Sequence, residues 1–279
     1  MAVVLITGCS SGFGKLAALQ FARKGDTVYA TMRDTAKGTE LEQARAAEHL
    51  KLELVPLDVL DDASVAAAVK RVIDAEGGID VLVNNAGIGH QGPIEETEID
   101  EMKEIFETNV FGALRVTKAV LPSMRERKSG TIVNVSSLAG RVSPPFDGVY
   151  ASSKYALEAA SEALYYEVHP FGVRVLLIEP GAFETNIGNV RRVSKAYGEG
   201  SPYAGYHQRF EQALERLPTR GERADPQAVA EKIYDAVNDT EPKLRYLVGQ
   251  DAEAIGGLRR QQDDEQFEQT MRQALDFWD

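Results

Sequence analysis

Residues 3–15 read VVLITGCSSGFGK, and this stretch decides the fold. Four apolar residues, three of them β-branched, read as a short strand covered on both faces. Glycines follow at 8, 12 and 14, although glycine costs backbone entropy and offers nothing to bury. A loop that joins a strand to a helix gives them a use. Its N–H groups and the helix N-terminus point past the strand's carboxyl end, where they suit a pyrophosphate. Glycine lets such a backbone turn tightly and approach closely.

Working outward, β-branched runs alternate with segments of helical period. The strands are expected at 3–6, 27–31, 52–57, 80–85, 131–136, 174–179 and 245–248. Helical patterns fill 13–24, 35–48, 61–76, 101–125, 150–168 and 225–238. This alternation predicts an α/β fold with right-handed crossovers: a doubly wound, seven-stranded parallel sheet with helices on both faces. Without an internal repeat or a linker, the 279 residues read as one domain. The segment 183–223 breaks the rhythm and reads as a strand-free lid carrying Tyr197, Tyr203, Tyr206 and Phe210. The tail from about 251 to 279 reads as helical, with Phe267, Met271, Leu275 and Trp278 on one stripe that packs on this subunit or a neighbour.

Composition narrows the function. A net charge of −12 argues against a nucleic-acid partner. One cysteine, Cys9, excludes a disulfide framework, and four scattered histidines give no expectation of a metal. No apolar run reaches the length of a membrane span, and the N-terminus lacks the basic start and length of a signal core. The expectation is a soluble, cytoplasmic protein.

The order Thr7-Gly8-x-x-x-Gly12-x-Gly14 resembles the short-chain dehydrogenase/reductase family, and four further motifs carry the likeness. They are LDV at 57–59, NNAG at 84–87, YASSK at 150–154 with Ser137 thirteen residues before Tyr150, and PGAFET at 180–185. Asn109 in TNVFG matches the family's fourth catalytic position, and Phe13 stands where isoleucine is common. VLITGCSSG, VYATMRD and PFGV are most similar to the hydroxysteroid and retinol dehydrogenase branch. The resemblance implies a Rossmann fold, a nicotinamide coenzyme, and a homodimer or homotetramer paired through the helices of 101–125 and 150–168. Surplus apolar positions there, such as Val116, Val120, Ala156, Ala159, Ala160 and Ala163, point the same way.

Tyr150 and Lys154 stand at i and i+4, so one helix face carries both. Carbonyl reduction needs a proton delivered to oxygen as hydride reaches carbon. A free tyrosine, with a pKa of about 10, needs about three units of help to act near neutrality. A neighbouring ammonium in a low-dielectric cleft is expected to supply it. The resemblance implies further that Lys154 grips the nicotinamide ribose, Ser137 binds the substrate oxygen, and Asn109 orders a proton-passing water. It assigns the coenzyme to Gly8, Ser10, Ser11, Gly12, Phe13, Gly14, Arg33, Asp58, Val59, Asn85, Ala86, Gly87, Tyr150, Lys154, Pro180, Gly181 and Thr185. Leu138, Val142, Pro144, Pro145 and Phe146 are expected on one side of a bulky, mostly apolar alcohol or ketone, with Phe183 and the lid aromatics on the other.

Coenzyme choice is read at the end of the second strand, where a carboxylate selects NAD and an arginine accommodates the 2′-phosphate of NADP. Met32 occupies the acidic position and Arg33 follows, which favours NADP(H) over NAD(H), although Asp34 lies close by. The alternative is a non-catalytic NADP(H)-binding sensor; intact Asn109, Ser137, Tyr150 and Lys154 speak against it.

Overall fold

Burial of the β-branched runs builds the sheet. The computed structural model describes residues 1–183, 191–217 and 225–276. Strands β1 (Val3–Ile6), β2 (Thr27–Met32), β3 (Leu52–Pro56), β4 (Val81–Asn84), β6 (Gly130–Val135), β7 (Val173–Pro180) and β9 (Arg245–Val248) form a seven-stranded sheet in the order β3-β2-β1-β4-β6-β7-β9. Every pairing in it is parallel. Helices α1 (Gly12–Arg23) and α8 (Gln227–Asn238) cover one face, packing Phe21 and Ile233 with Val4, Val83 and Ile178. The opposite face is covered by α3 (Asp62–Glu76), α5 (Ala113–Arg127) and α6 (Gly148–Val168), with Val69, Val120 and Val168 packed around Leu5, Leu82 and Ile132. Helix α2 (Thr39–Glu48) lies between β2 and β3.

Strand order reverses between β1 and β4, and in such sheets ligands bind outside the carboxyl ends at that point. Ile6 pairs with Ala30 on one side and Val83 on the other, so the glycine loop and the NNAG loop leave the sheet side by side.

The expected helix over 101–125 is continuous but not uniform. Helix α4 (Ile99–Phe106) passes through a π-helical turn, Glu107–Gly112, into α5. Such turns are rare and concentrate at functional sites. Two corrections concern the segment 183–223. It contains a short strand, β8 (Arg192–Val193), paired in parallel with β5 (His90–Gln91), and a twelve-residue helix, α7 (Ala204–Glu215). The expected tail is two helices, α9 (Gln250–Gln261) and α10 (Asp264–Leu275), broken where Asp263 caps the second. Met271 and Leu275 pack on Phe210 and Ala213 of α7, so the stripe covers this chain's own lid; Trp278 lies outside the described residues. Among the described residues no helix is long and apolar enough to cross a membrane.

Candidate active site

At the switch point the two loops are laced together by Thr7. Its hydroxyl accepts from the N–H groups of Asn85 and Ala86, each at 3.0 Å, and Asn85 Nδ2 donates to the carbonyls of Thr7 (2.9 Å) and Gly8 (3.1 Å). This contact explains two of the glycines. A Cβ on Gly8 would stand 2.8 Å from Ala86 Cα, and one on Gly14 would stand 2.6 Å from the Gly8 carbonyl and strike the Asn85 amide. The close approach at these positions is to the neighbouring loop. Gly8 and Gly12 also hold φ of 74° and 57°, which favour glycine.

The lacing leaves the N-terminus of α1 open. Ser11 is its N-cap residue but makes no side-chain capping bond, and the first turn holds no acid. That is the condition under which a helix start receives a phosphate. A cavity of about 1720 Å³ opens there, ample for a dinucleotide and a second molecule. Gly8, Ser10, Ser11, Gly12, Phe13, Met32, Arg33, Asp58, Val59, Asn85, Ala86, Gly87, Pro180 and Gly181 line it. The glycine cradle and the unused helix start fit a nicotinamide dinucleotide. Gly14 stands behind this wall, and Thr185 lies outside the described residues.

The second strand ends in two neighbours with different surroundings. Arg33 is exposed on the cavity rim, and Met32 beside it is buried against the same cavity. Asp34 instead caps a short turn by accepting from Ala36 N–H at 3.1 Å. Lys15 pairs with Glu40 at 2.5 Å.

The same cavity reaches Ser137, Tyr150 and Lys154. Ser137 lies just past the end of β6 and caps the turn Leu138–Gly140, its Oγ accepting from Ala139 N–H at 3.1 Å and donating to the Pro180 carbonyl at 3.5 Å, and it favours the ionised form of the Tyr150 phenol. Lys154 is buried on the Tyr150 face of α6; its Nζ lies 5.7 Å from the tyrosine ring centre and donates to the Val135 carbonyl at 2.9 Å. Burial pushes the Tyr150 phenol up to about 12 against the lowering effect of Ser137, and pulls the Lys154 ammonium down to about 8. In the protein alone, burial outweighs the lowering effect of Ser137 at the phenol.

Asn109 stands behind Lys154 in the π-helical turn, outside the cavity wall. Its amide accepts from Ile88 N–H (2.9 Å) and donates to the Ile88 carbonyl and Ser153 Oγ (each 3.0 Å), clamping the stretch after Gly87. A Cβ on Gly87 would meet Asn109 Oδ1 at 3.3 Å, so any larger residue there would press on this clamp.

Beyond Tyr150 the cavity is mainly apolar. Leu138, Val142, Pro144, Pro145 and Phe146 form one wall, and His207, Phe210, Leu214 and Leu217 of the lid face them. Phe146 holds φ of 65°, tilting its ring onto His207 (4.5 Å between centroids) and Phe210 (5.9 Å). Phe183, expected on the lid side, meets Phe13 edge-on at 5.6 Å, at the coenzyme end. The Arg191, Arg192 and Lys195 cluster is paired with Asp147, Glu104 and Glu98 respectively, which pins the lid stem. Burial pushes the Cys9 thiol up to about 12, and its Sγ contacts the Ile6 carbonyl at 3.3 Å, so it is an inert filler.

A family model described as short chain dehydrogenase matches residues 2–195, two thirds of the sequence. The chain belongs to that family. Among curated relatives of this short-chain dehydrogenase are 3-ketodihydrosphingosine reductase of Bacteroides thetaiotaomicron, 36% identical with 88% of this chain and 87% of that one covered, and human retinol dehydrogenase 8, 40% identical with 87% and 79% covered. Rat estradiol 17-beta-dehydrogenase 1 is 40% identical, with 88% and 73% covered. A short-chain dehydrogenase from Streptomyces avermitilis superposes with a TM-score of 0.80 over 98% of this chain and 99% of its own, at 36% identity. Two more distant structures carry coenzyme: one from Burkholderia phymatum with NAD (27% identity, 93% and 92% covered, TM-score 0.78) and a metagenomic oxidoreductase with NADP (26%, 88% and 96%, 0.70). This short-chain dehydrogenase is thus an NAD(P)-dependent oxidoreductase acting on CH–OH groups.

Several positioning residues were not singled out from the sequence. Thr7 stands in the sequence as the residue before the glycines, and Ser153 lies inside YASSK, where nothing in the motif marks its bond to Asn109. The hydroxyl directly before Gly8 was the available signal for Thr7. The C-terminal residues Phe267, Met271 and Leu275 also line the cavity.

Proposed function

We propose that this short-chain dehydrogenase interconverts a bulky, mostly apolar secondary alcohol and its ketone with NADP(H), using Tyr150 as general acid and base. The observation that carries the reading is the meeting of Ser137, Tyr150 and Lys154 on one cavity wall, where its glycine-lined half joins its apolar half. The bound coenzyme would supply or accept the hydride and, when oxidised, add positive charge near the phenol.

The chain's own groups do the rest. Tyr150 gives its hydroxyl proton to the carbonyl oxygen in reduction and takes it back in oxidation. Ser137 donates to the same oxygen and orients it. Lys154 holds the ribose hydroxyls and favours the phenolate, and Asn109 keeps the Gly87–Ile88 backbone in place behind it. Glycines 8, 12 and 14, Ser10 and Ser11 cradle the diphosphate, Asp58 and Val59 take the adenine end, and Asn85, Ala86, Gly87, Pro180 and Gly181 flank the nicotinamide half. Thr185 belongs to the same motif.

NADP(H) over NAD(H) is supported by Arg33 on the cavity rim and Met32 at the strand end, with Asp34 engaged in its own cap. The apolar wall from Leu138 to Phe146 supports a large substrate. So do relatives named for a 3-ketosphingoid base, estradiol and retinol.

A homodimer or homotetramer in the cytoplasm completes the proposal. Val116 and Val120 serve the sheet and leave no surplus, but Ala159, Ala163 and Tyr155 on α6 and Phe111 before α5 remain exposed. Assay of steroidal, retinoid and long-chain ketones against short ones with both coenzymes tests the reading; preference for short polar ketones or for NADH would overturn its finer parts.

A further inference from the structure

Helix α6 carries a third buried ionisable group. Glu158 lies one turn beyond Lys154 on the same face, 4% exposed, and meets Glu179 of β7, which is 1% exposed. The two carboxyls are within hydrogen-bonding reach of one another. Neither Glu158 Oε1 nor Glu179 Oε1 receives a donor from the protein. Arg245 Nε stands by both carboxyls, 2.9 Å from Glu158 Oε2 and 3.5 Å from Glu179 Oε1. Since ionised carboxylates only accept, two buried carboxyls this close, each with an oxygen that receives no donor, favour holding a proton.

The surroundings fix the rest of the charge. Arg245 of β9 donates to Glu158 Oε2 at 2.9 Å, stands 3.5 Å from Glu179 Oε1, and reaches Glu162 on α6 at 2.5 Å. Arg141 approaches Glu179 to 3.7 Å. Arg259 and Arg260 of α9 join Arg141 around a small cavity of about 10 Å³ that Glu179 also lines. Tyr155 and Lys154 are the other titratable groups of α6 that feel Glu158. Burial first, and then the Glu158 charge, push the Glu179 carboxyl up to about 7. On the other side of Glu158, its charge raises Lys154 against the burial that pulls the ammonium to about 8.

We propose that Glu158 and Glu179 share one proton and act together as a positioning pair that keeps Lys154 charged as the pH rises. The arginines stay charged throughout, so the pair is the part that changes. Passing neutrality, the shared proton leaves and the pair gains one negative charge a turn away from Lys154. That charge favours the ammonium at the point where it would begin to be lost. The working range of the enzyme extends upward as a result.

The proposal rests on the assignment of Tyr150 and Lys154 as the reacting pair, and the experiment separates the two. Carboxyl ¹³C NMR of glutamate-labelled enzyme should show one carboxyl titrating near 7 in the wild type and none there in E179Q, whose amide donates permanently to Glu158. The alkaline limb of kcat/KM should move down by about one pH unit in E158Q and by less in E179Q, with neutral-pH activity close to wild type. E179Q keeps the Arg245 contact to Glu158 and carries the test if E158Q does not fold. Absence of a neutral-range carboxyl, or its presence with an unmoved alkaline limb in the variants, would overturn the proposal. Should Tyr150→Phe remain active, the assignment falls while the NMR titration still reports on the shared proton.

Discussion

Arg33 and Asp34 are adjacent in the chain and face different tasks: Arg33 stands on the rim of the cavity, while Asp34 is spent on the Ala36 N–H at 3.1 Å. The acid nearest the expected ribose site is therefore committed to its own turn. Arg33→Ala should weaken NADPH by the value of one charge-assisted contact, about 1.5–3 kcal/mol or about ten- to a hundred-fold, and leave NADH nearly unchanged. Met32→Asp should do more, because it adds a ribose acceptor for NADH and a repulsion against the 2′-phosphate. The ratio of kcat/KM for the two coenzymes on one substrate checks both. An unchanged ratio in Arg33→Ala would place the phosphate elsewhere.

The apolar end of the cavity predicts a size-dependent defect. Met271 of α10 lines it and packs with Phe210 and Leu275. Met271→Asp should lower kcat/KM for large apolar ketones by about ten-fold or more, since a desolvated charge costs at least 1–3 kcal/mol, and should spare short ketones. Equal losses for both would show that α10 supports the lid without touching substrate.

Glu179 predicts a slope in stability. Its carboxyl, raised from an ordinary 4.5 to about 7, binds more proton in the native than in the unfolded chain between those values. Unfolding free energy must then fall as the pH rises through that window. E179Q removes the ionisation, so its melting temperature should gain on wild type from about pH 5 to about pH 7.5. Parallel melting curves across the window would show an ordinary carboxylate.

The exposed alanines of α6 predict an interface. Ala159→Arg should convert the enzyme to a smaller species in sedimentation at micromolar concentration, while a wild type that already sediments as a monomer would reject the proposed assembly.

Much of this was legible because the glycine loop, the strands and the Tyr150–Lys154 spacing rest on local chemistry. The π-helical turn at Glu107–Gly112 was not, since a shifted hydrogen-bond pattern leaves no periodicity; Asn109 alone marked the place. Strands β5 and β8 are two residues each, too short for alternation to register. Helix α7 leaves no clear sequence signal because Arg209, Glu211 and Gln212 dilute a stripe that buries only Phe210 and Ala213. Burial of Glu158 and Glu179 depends on how β7, β9 and α6 meet, which no short window of sequence contains.

The most direct test of the central claim is Tyr150→Phe, measured for turnover and for coenzyme binding together. The substitution deletes one hydroxyl, the proposed proton donor. Turnover should fall at least a hundred-fold, by the typical worth of a positioned acid, with the coenzyme Kd within a few-fold of wild type. A variant that kept more than about a tenth of wild-type turnover on a good substrate would contradict the account, since a general acid is worth far more than that.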